Sequence, residues 1–404
     1  MIPRAGYQAL MKLAGQFPVV LITGPRQSGK TKLALAAFPK KKYISFMNKN
    51  YRDLAKSNPS AFLEEYPDGV IIDDAQLVPE IVDALKKVVS SGKHAPGKYI
   101  LLSPNQIRTR QNIEECLAGQ IGVFKLMPLS IQEISKADLL PDDLYDITFI
   151  GFYPPFYDVD KLYLQDNWLE YYVSIFMNAD VKDKINDSNL PLFRRFMQAC
   201  APYSGKVIDY DGIAKEVGIT TETAKIWCSI LVDSYIVYFV EPDNNSLGRT
   251  IAQTPKFYFL DTGLLCYLLG METIDDLLKS EHKEAILETV AVSELLKRCY
   301  TQAEPPRLTY FRDKNGFEVG LVAGKKCTDV IEITSSTLAE KEQTTDIRHY
   351  IKQRSDRTKA YVYYLGDSTC DMNGVRFTFW KEWGNLESVN ASQTAKKQNK
   401  GPSQ

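Results

Sequence analysis

The octet Gly24-Pro25-Arg26-Gln27-Ser28-Gly29-Lys30-Thr31 follows an apolar run, Val19-Val20-Leu21-Ile22, and opens onto a stretch of helical periodicity over residues 32–37. A glycine, four residues and then Gly-Lys-Thr, set between a strand and a helix, is the pattern of a loop that wraps phosphate groups. Glycines let the backbone curl around an anion with its N–H groups pointing inward. The helix dipole behind them favours negative charge. All eight residues are therefore expected to contact a bound nucleotide, ATP, with Lys30 as the cation for its β and γ phosphates and a catalytic residue. The Thr31 hydroxyl is the expected ligand of Mg²⁺.

Such a loop needs an acid at the end of another strand, and Val70-Ile71-Ile72-Asp73-Asp74 provides one. Asp73 is expected to hold Mg²⁺, on a strand neighbouring the loop strand. Asp74 is the candidate catalytic base for the attacking water. It is one methylene shorter than a glutamate, and small displacements of a reacting group can cost about a hundredfold in rate. Its alternative role is a helix N-cap for the segment that follows. A further apolar run, Tyr99-Ile100-Leu101-Leu102, ends in Ser103-Pro104-Asn105-Gln106. Asn105 or Gln106 has the chemistry to sense a γ-phosphate; the other reading is a polar loop.

Outward from these motifs, residues 43–46 form one more strand and residues 79–89 a helix. Strands alternating with helices imply an α/β fold with a parallel sheet covered on both faces. The P-loop core spans residues 1–135 and a helical, aromatic lid region spans 136–200. Residues 201–280 then read as a short helix ending at Gly218, a second helix capped by Thr220 or Thr221, and a strand over 236–240. That order suggests a winged-helix-like domain with its wing turn at 242–248. Residues 281–387 form a small α/β domain, with a helix over 281–298 and strands at 308–312, 318–322, 329–333 and 360–364. Residues 388–404 are polar, without apolar periodicity, and are expected to be disordered.

Formal net charge is −1, so the chain as a whole has no electrostatic bias toward nucleic acid or an anionic membrane. The expected second helix of the winged-helix-like region offers Lys225 beside Glu222. This is a poor phosphate-binding stripe, so packing or protein contact competes with DNA as its use. Seven scattered cysteines without a Cys-x-x-Cys pair point to a reducing compartment, and three dispersed histidines point away from zinc. No run of about 18 apolar residues suggests a membrane span, and the N-terminal residues do not read as a secretory signal. Cytoplasm is the expected location.

With these residues placed, the chain resembles a family of prokaryotic AAA+-like ATPases that join a P-loop domain to a C-terminal domain of unknown function. The resemblance covers roughly residues 1–335. It rests on the phosphate loop, Ile72-Asp73-Asp74-Ala75-Gln76, Leu117-Ala118-Gly119 and Pro128-Leu129-Ser130 with Glu133. It continues in Pro255-Lys256-Phe257-Tyr258-Phe259-Leu260-Asp261-Thr262-Gly263-Leu264 and in Glu294-Leu295 before Glu318-Val319. It implies an ATPase core and a C-terminal fold similar to restriction-type nucleases. The departures matter. The family's Leu-Ala-Gly-Arg ends here at Gln120, and its Arg-Asp pair reads Ala179-Asp180. Arginines of this kind can stabilise a phosphoryl-transfer transition state by about 10³ to 10⁵ in rate, so hydrolysis is expected to be slow, with Arg26 still available.

The nuclease-like domain departs further. Glu288 or Glu294 could supply its helix acid, but the family's Glu-Val-Asp reads Glu318-Val319-Gly320 and its Glu-x-Lys reads Glu332-Ile333-Thr334. Loss of the Asp and the Lys implies a scaffold without nuclease activity. The expected function is a nucleotide-dependent switch for an unidentified protein partner. The alternatives are a DNA-associated ATPase and a non-hydrolysing nucleotide-binding scaffold.

Overall fold

The computed structural model describes residues 2–90, 95–105, 117, 119–158, 165–243, 254–312, 317–324, 329–352 and 358–384. Strands β1 (Val19–Thr23), β2 (Lys42–Ser45), β3 (Val70–Asp73), β4 (Tyr99–Ser103) and β5 (Ile121–Lys125) form one parallel sheet in the order β2-β3-β4-β1-β5. β1 and β4 are buried throughout, as their unbroken apolar sequences require in a parallel sheet with both faces covered. Alternate residues serve opposite faces. Val19, Leu21, Ile72 and Leu101 pack under the Glu80–Ser90 helix side, while Val20, Ile22, Ile71 and Leu102 pack with Leu10 and Leu33 on the other.

One expectation is corrected here and one strand is new. β3 does not neighbour the loop strand, because β4 lies between them. The acid still reaches the loop, since parallel strands deliver their C-terminal ends to one edge. β5 has no counterpart in the sequence reading. It is an edge strand whose side chains are buried only alternately, so its sequence, Ile-Gly-Val-Phe-Lys, lacks the continuous apolar run of its neighbours.

The middle of the chain is helical: Leu144–Ile150, Gln165–Phe176, a π-helical turn at Met177–Val181, and Leu190–Cys200. The Tyr210–Val217 helix starts at an Asp209 cap and stops at Gly218, which takes a left-handed φ of 83°. Thr220 accepts a hydrogen bond from the Thr223 N–H and starts the Thr221–Asp233 helix. β6 (Lys206–Val207), which precedes these two helices, forms an antiparallel set with β7 (Val237–Pro242) and β8 (Lys256–Phe259), which follow them. The expected wing turn lies mostly outside the described residues, as does the expected disordered tail.

β7 does not end the set. It pairs in parallel with β9 (Leu308–Arg312), Glu241 opposite Thr309 and Pro242 opposite Tyr310. β10 (Glu318–Ala323), β11 (Asp329–Ile333), β12 (Lys359–Tyr364), β13 (Cys370–Met372) and β14 (Val375–Phe379) complete a mixed nine-stranded sheet, β13-β14-β12-β11-β10-β9-β7-β8-β6. The Lys283–Thr301 helix lays Leu287, Val290 and Leu295 across one face, against Tyr258, Tyr310, Leu321 and Ile331. The Thr345–Lys352 helix covers part of the other through Ile347 and Tyr350. Residues 201–280 and the C-terminal residues thus share one sheet. Among the described residues no helix is long and apolar enough to cross a membrane.

Candidate nucleotide site

The turn out of β1 depends on glycine at two positions. Gly24 has φ 147°, and a Cβ there would lie 2.0 Å from the Leu126 carbonyl oxygen, so no side chain fits. Gly29 takes a left-handed φ of 96° and caps the Lys30–Ala37 helix without any side-chain hydrogen bond. The first-turn N–H groups of that helix are left for an anion. Lys30 is buried, and its ammonium donates to the Gly24 and Pro25 carbonyls at 2.9 and 2.8 Å. Burial pushes its pKa down to about 8, against the pull of Asp73.

Asp73 meets the loop as expected. Its Oδ2 accepts hydrogen bonds from the Thr31 hydroxyl at 2.7 Å and the Tyr43 hydroxyl at 2.9 Å. Asp74 sits beside it in a left-handed backbone conformation, φ 56°. The N-cap alternative is not what the structure shows: the Asp74 side chain caps nothing and instead accepts from Ser45 Oγ at 3.2 Å and Gln76 Nε2 at 3.4 Å. Burial and the adjacent Asp73 charge raise its pKa. Asn105 is buried. Its main-chain oxygen accepts from Thr23 and Ser103, its Oδ1 has no hydrogen-bond partner, and it is Pro104 that lines the cleft. Gln106 lies outside the described residues.

The loop and the acids face a cleft of about 510 Å³ whose far wall is Pro154, Pro155, Asp158 and Ile175 from the lid region. Asp261 holds that wall in place. Its Oδ2 accepts from the Phe152 N–H at 2.8 Å, and its Oδ1 caps the Thr262–Leu268 helix through the Leu264 N–H. A Cβ on Gly151 would collide with Asp261 Oδ1 at 2.7 Å, which accounts for the glycine before Phe152.

Arg26 lines the cleft and has a partner within the protein. Its guanidinium forks onto Asp180, Nε to Oδ2 at 2.5 Å and Nη2 to Oδ1 at 3.1 Å. The acid left over from the family's Arg-Asp pair is thus the partner of the loop arginine. Sequence reading also missed Arg4, which donates to the Ser28 and Met127 carbonyls, both at 2.6 Å, and pairs with Glu133 at 3.0 Å. Nothing in a lone arginine ahead of the first helix signals this. A second, more apolar cavity of about 880 Å³ adjoins the cleft, sharing Gly29, Lys32, Pro154 and Asp158 with it and lined further by Tyr7, Leu33 and Leu139.

In the C-terminal sheet, Glu288 is the helix acid that joins the cluster. Glu294 is instead engaged by the Ile131 N–H and Lys297. A lysine is present after all, from an unexpected element. Lys256 on β8 donates to Glu288 Oε1 at 3.3 Å and Glu318 Oε1 at 2.7 Å, and Tyr258 donates to Glu288 at 2.5 Å. Burial opposes the Lys256 charge, but Glu288 and Glu318 outweigh it and its pKa is raised. Gly320 donates its N–H to Glu332 Oε1 at 3.2 Å, and burial pushes the Glu332 carboxyl up to about 8.

Comparison with known proteins agrees with the N-terminal geometry. Residues 16–135 match the model of the AAA domain. With the phosphate loop and Asp73 placed as described, these residues are a P-loop ATPase domain of the AAA type. Residues 141–275 and 283–383 match two domains of unknown function, DUF8612 and DUF4143. An uncharacterised protein of Mycobacterium tuberculosis is 26% identical over 305 residues, 75% of this chain and 67% of its own length. Among solved structures, a Walker-type ATPase of Pyrococcus abyssi aligns over 66% of this chain and 96% of its own, at 12% identity and a TM-score of 0.42. The RuvB Holliday junction branch migration motor of Thermotoga maritima aligns over 58% of this chain and 86% of its own, at 13% identity and a TM-score of 0.27.

Proposed function

We propose that this chain binds ATP with Mg²⁺ in the cleft at residues 24–31, hydrolyses it slowly, and uses the nucleotide state to set how its middle and C-terminal regions meet a protein partner. The observation that carries the reading is the Thr31–Asp73 hydrogen bond of 2.7 Å beside buried Lys30, in a loop whose backbone tolerates no side chain at Gly24. That donor set fits the metal: a hydroxyl and a carboxylate converge from two elements, as a hard cation requires. When bound, Mg²⁺ would neutralise charge on the β and γ phosphates.

The chain's own groups do the rest. Lys30 would exchange the two loop carbonyls for phosphate oxygens. The cavity lined by Tyr7, Leu33 and Leu139 offers an apolar place for the nucleoside. Asp74 is the candidate base, but its short side chain is already engaged by Ser45 and Gln76, which supports slow turnover.

The C-terminal domain we read as a nuclease-like scaffold without nuclease activity. Its carboxylates Glu288 and Glu318 already surround the Lys256 ammonium, where a metal-dependent site would need a divalent ion. Residues 201–280 we read as a winged-helix-like unit for protein contact. β7 is paired on both sides, by β8 and β9, and the exposed Lys225 stands beside Glu222. Among the described residues the five cysteines are free and three of them are buried, which supports a cytoplasmic reading.

Limited proteolysis of the intact chain with ATP, with ADP and without nucleotide tests the switch. The expected result is a cleavage pattern in residues 141–275 that differs between ATP and ADP. Identical patterns in all three states, with binding confirmed, would leave a passive scaffold.

A further inference from the structure

Resting on the nucleotide reading above, we propose that Arg26 contacts the terminal phosphate of a bound nucleoside triphosphate and that Asp180 is the positioning residue that aims it. The pair is therefore what distinguishes a triphosphate from a diphosphate. Arg26 lies between the two loop glycines and lines the cleft with Lys30, Thr31, Asp73 and Asp74. Its side chain keeps 23% of its exposure while Asp180 keeps 3%. The carboxylate takes the guanidinium by Nε and Nη2. An arginine carries five N–H donors in a planar fork, so this side-on grip leaves the Nη1 edge uncommitted to Asp180 while fixing the plane of the group.

A competing arrangement would have the phosphate pull Arg26 off Asp180. The energetics disfavour it. Stripping the partner from a buried carboxylate is strongly destabilising, whereas sharing one guanidinium between two anions leaves neither unpaired. The location of Asp180 adds a consequence. It stands in the π-helical turn Met177–Val181 that continues the Gln165–Phe176 helix, and Ile175 of that helix lines the same cleft. The π turn closes the C-terminal end of that helix, ahead of a turn at residues 182–184. The Arg26–Asp180 pair therefore ties the phosphate loop to the lid at the C-terminal end of the lid helix.

The test is equilibrium binding of a non-hydrolysable ATP analogue and of ADP, each with Mg²⁺, to the full chain and to the variants Arg26→Gln, Arg26→Lys, Asp180→Asn and Arg26→Gln/Asp180→Asn. Arg26→Gln and Arg26→Lys should lose tenfold or more for the triphosphate analogue and less than twofold for ADP. Lysine keeps the charge but not the fork, and this variant answers the question if the glutamine variant fails to fold. Asp180→Asn should lose several-fold for the triphosphate only, and the double variant should be no weaker than Arg26→Gln alone. A merely structural pair would instead lower both affinities equally, or show additive losses, and either result overturns the proposal. Wild-type protein that binds neither nucleotide overturns the nucleotide reading as well, so the two failures are distinguishable.

Discussion

Replacing Glu332 by glutamine tests the C-terminal account, because burial of this carboxyl gives the sign of the effect and its order of magnitude. The Glu332 carboxyl is pushed up to about 8 by burial, with the Gly320 N–H pulling it down and the Glu288 charge pushing it further up. An unfolded glutamate titrates near 4.3. The native state therefore holds a proton that the unfolded chain has released between those two values. Stability is full below about pH 4.3 and falls as pH rises toward 8. Each pH unit of difference is worth about 1.4 kcal/mol, and the residual exposure of Glu332 reduces the total to about 2–4 kcal/mol. Glu332→Gln cannot ionise. It should exceed the wild type by about 1 kcal/mol or less at pH 5 and by about 2–4 kcal/mol at pH 8.5. Urea unfolding followed by tryptophan fluorescence, in a background with Trp168 and Trp227 replaced by Phe so that Trp380 and Trp383 buried against this sheet are the remaining reporters, follows the relevant region. A variant no more stable than wild type at pH 8.5, or an equal gap at both pH values, would refute the argument.

Lys256→Met should destabilise the C-terminal sheet by about 2–3 kcal/mol, less than the loss for a fully buried pair because Glu288 and Glu318 are partly exposed; an effect under about 0.5 kcal/mol in urea would remove Lys256 from its role. The wild type should cleave neither single- nor double-stranded DNA or RNA with Mg²⁺ or Mn²⁺, whereas Mn²⁺-dependent cleavage lost in Glu332→Ala but kept in Lys30→Ala would show a working nuclease site. Steady-state phosphate release should be slow and should rise in Asp74→Glu, whose longer side chain recovers reach. A fast wild type unaffected by Asp74→Ala would exclude Asp74 from the chemistry.

The parts of the fold that were legible in sequence are those where one local rule decides. β1 and β4 are unbroken apolar runs, and Gly29 and Gly218 stop or start helices by backbone geometry. The phosphate loop and Asp73 carried their own chemistry. What escaped depends on partners distant in sequence. β5 and β14 are stabilised by strands already in place, and neither has a decisive run of its own. Arg26 looked free because Asp180 is 154 residues away, and Lys256 looked unrelated to Glu288 because one sits on a strand and the other on a helix. The sharing of one sheet by β7 and β9 could not be read at all, since two residue pairs create it.

Thermal unfolding of the intact protein with and without saturating ATP and Mg²⁺, in the wild type and in Lys30→Ala, bears most directly on the central claim. A ligand at about 100 times its dissociation constant adds roughly 2.7 kcal/mol to the domain that binds it. The wild-type transition of the N-terminal domain should therefore move up by several degrees, and Lys30→Ala should show no shift while keeping its nucleotide-free transition within a few degrees of wild type. A wild-type transition that does not move at saturating nucleotide would contradict the assignment of residues 24–31 as an ATP site.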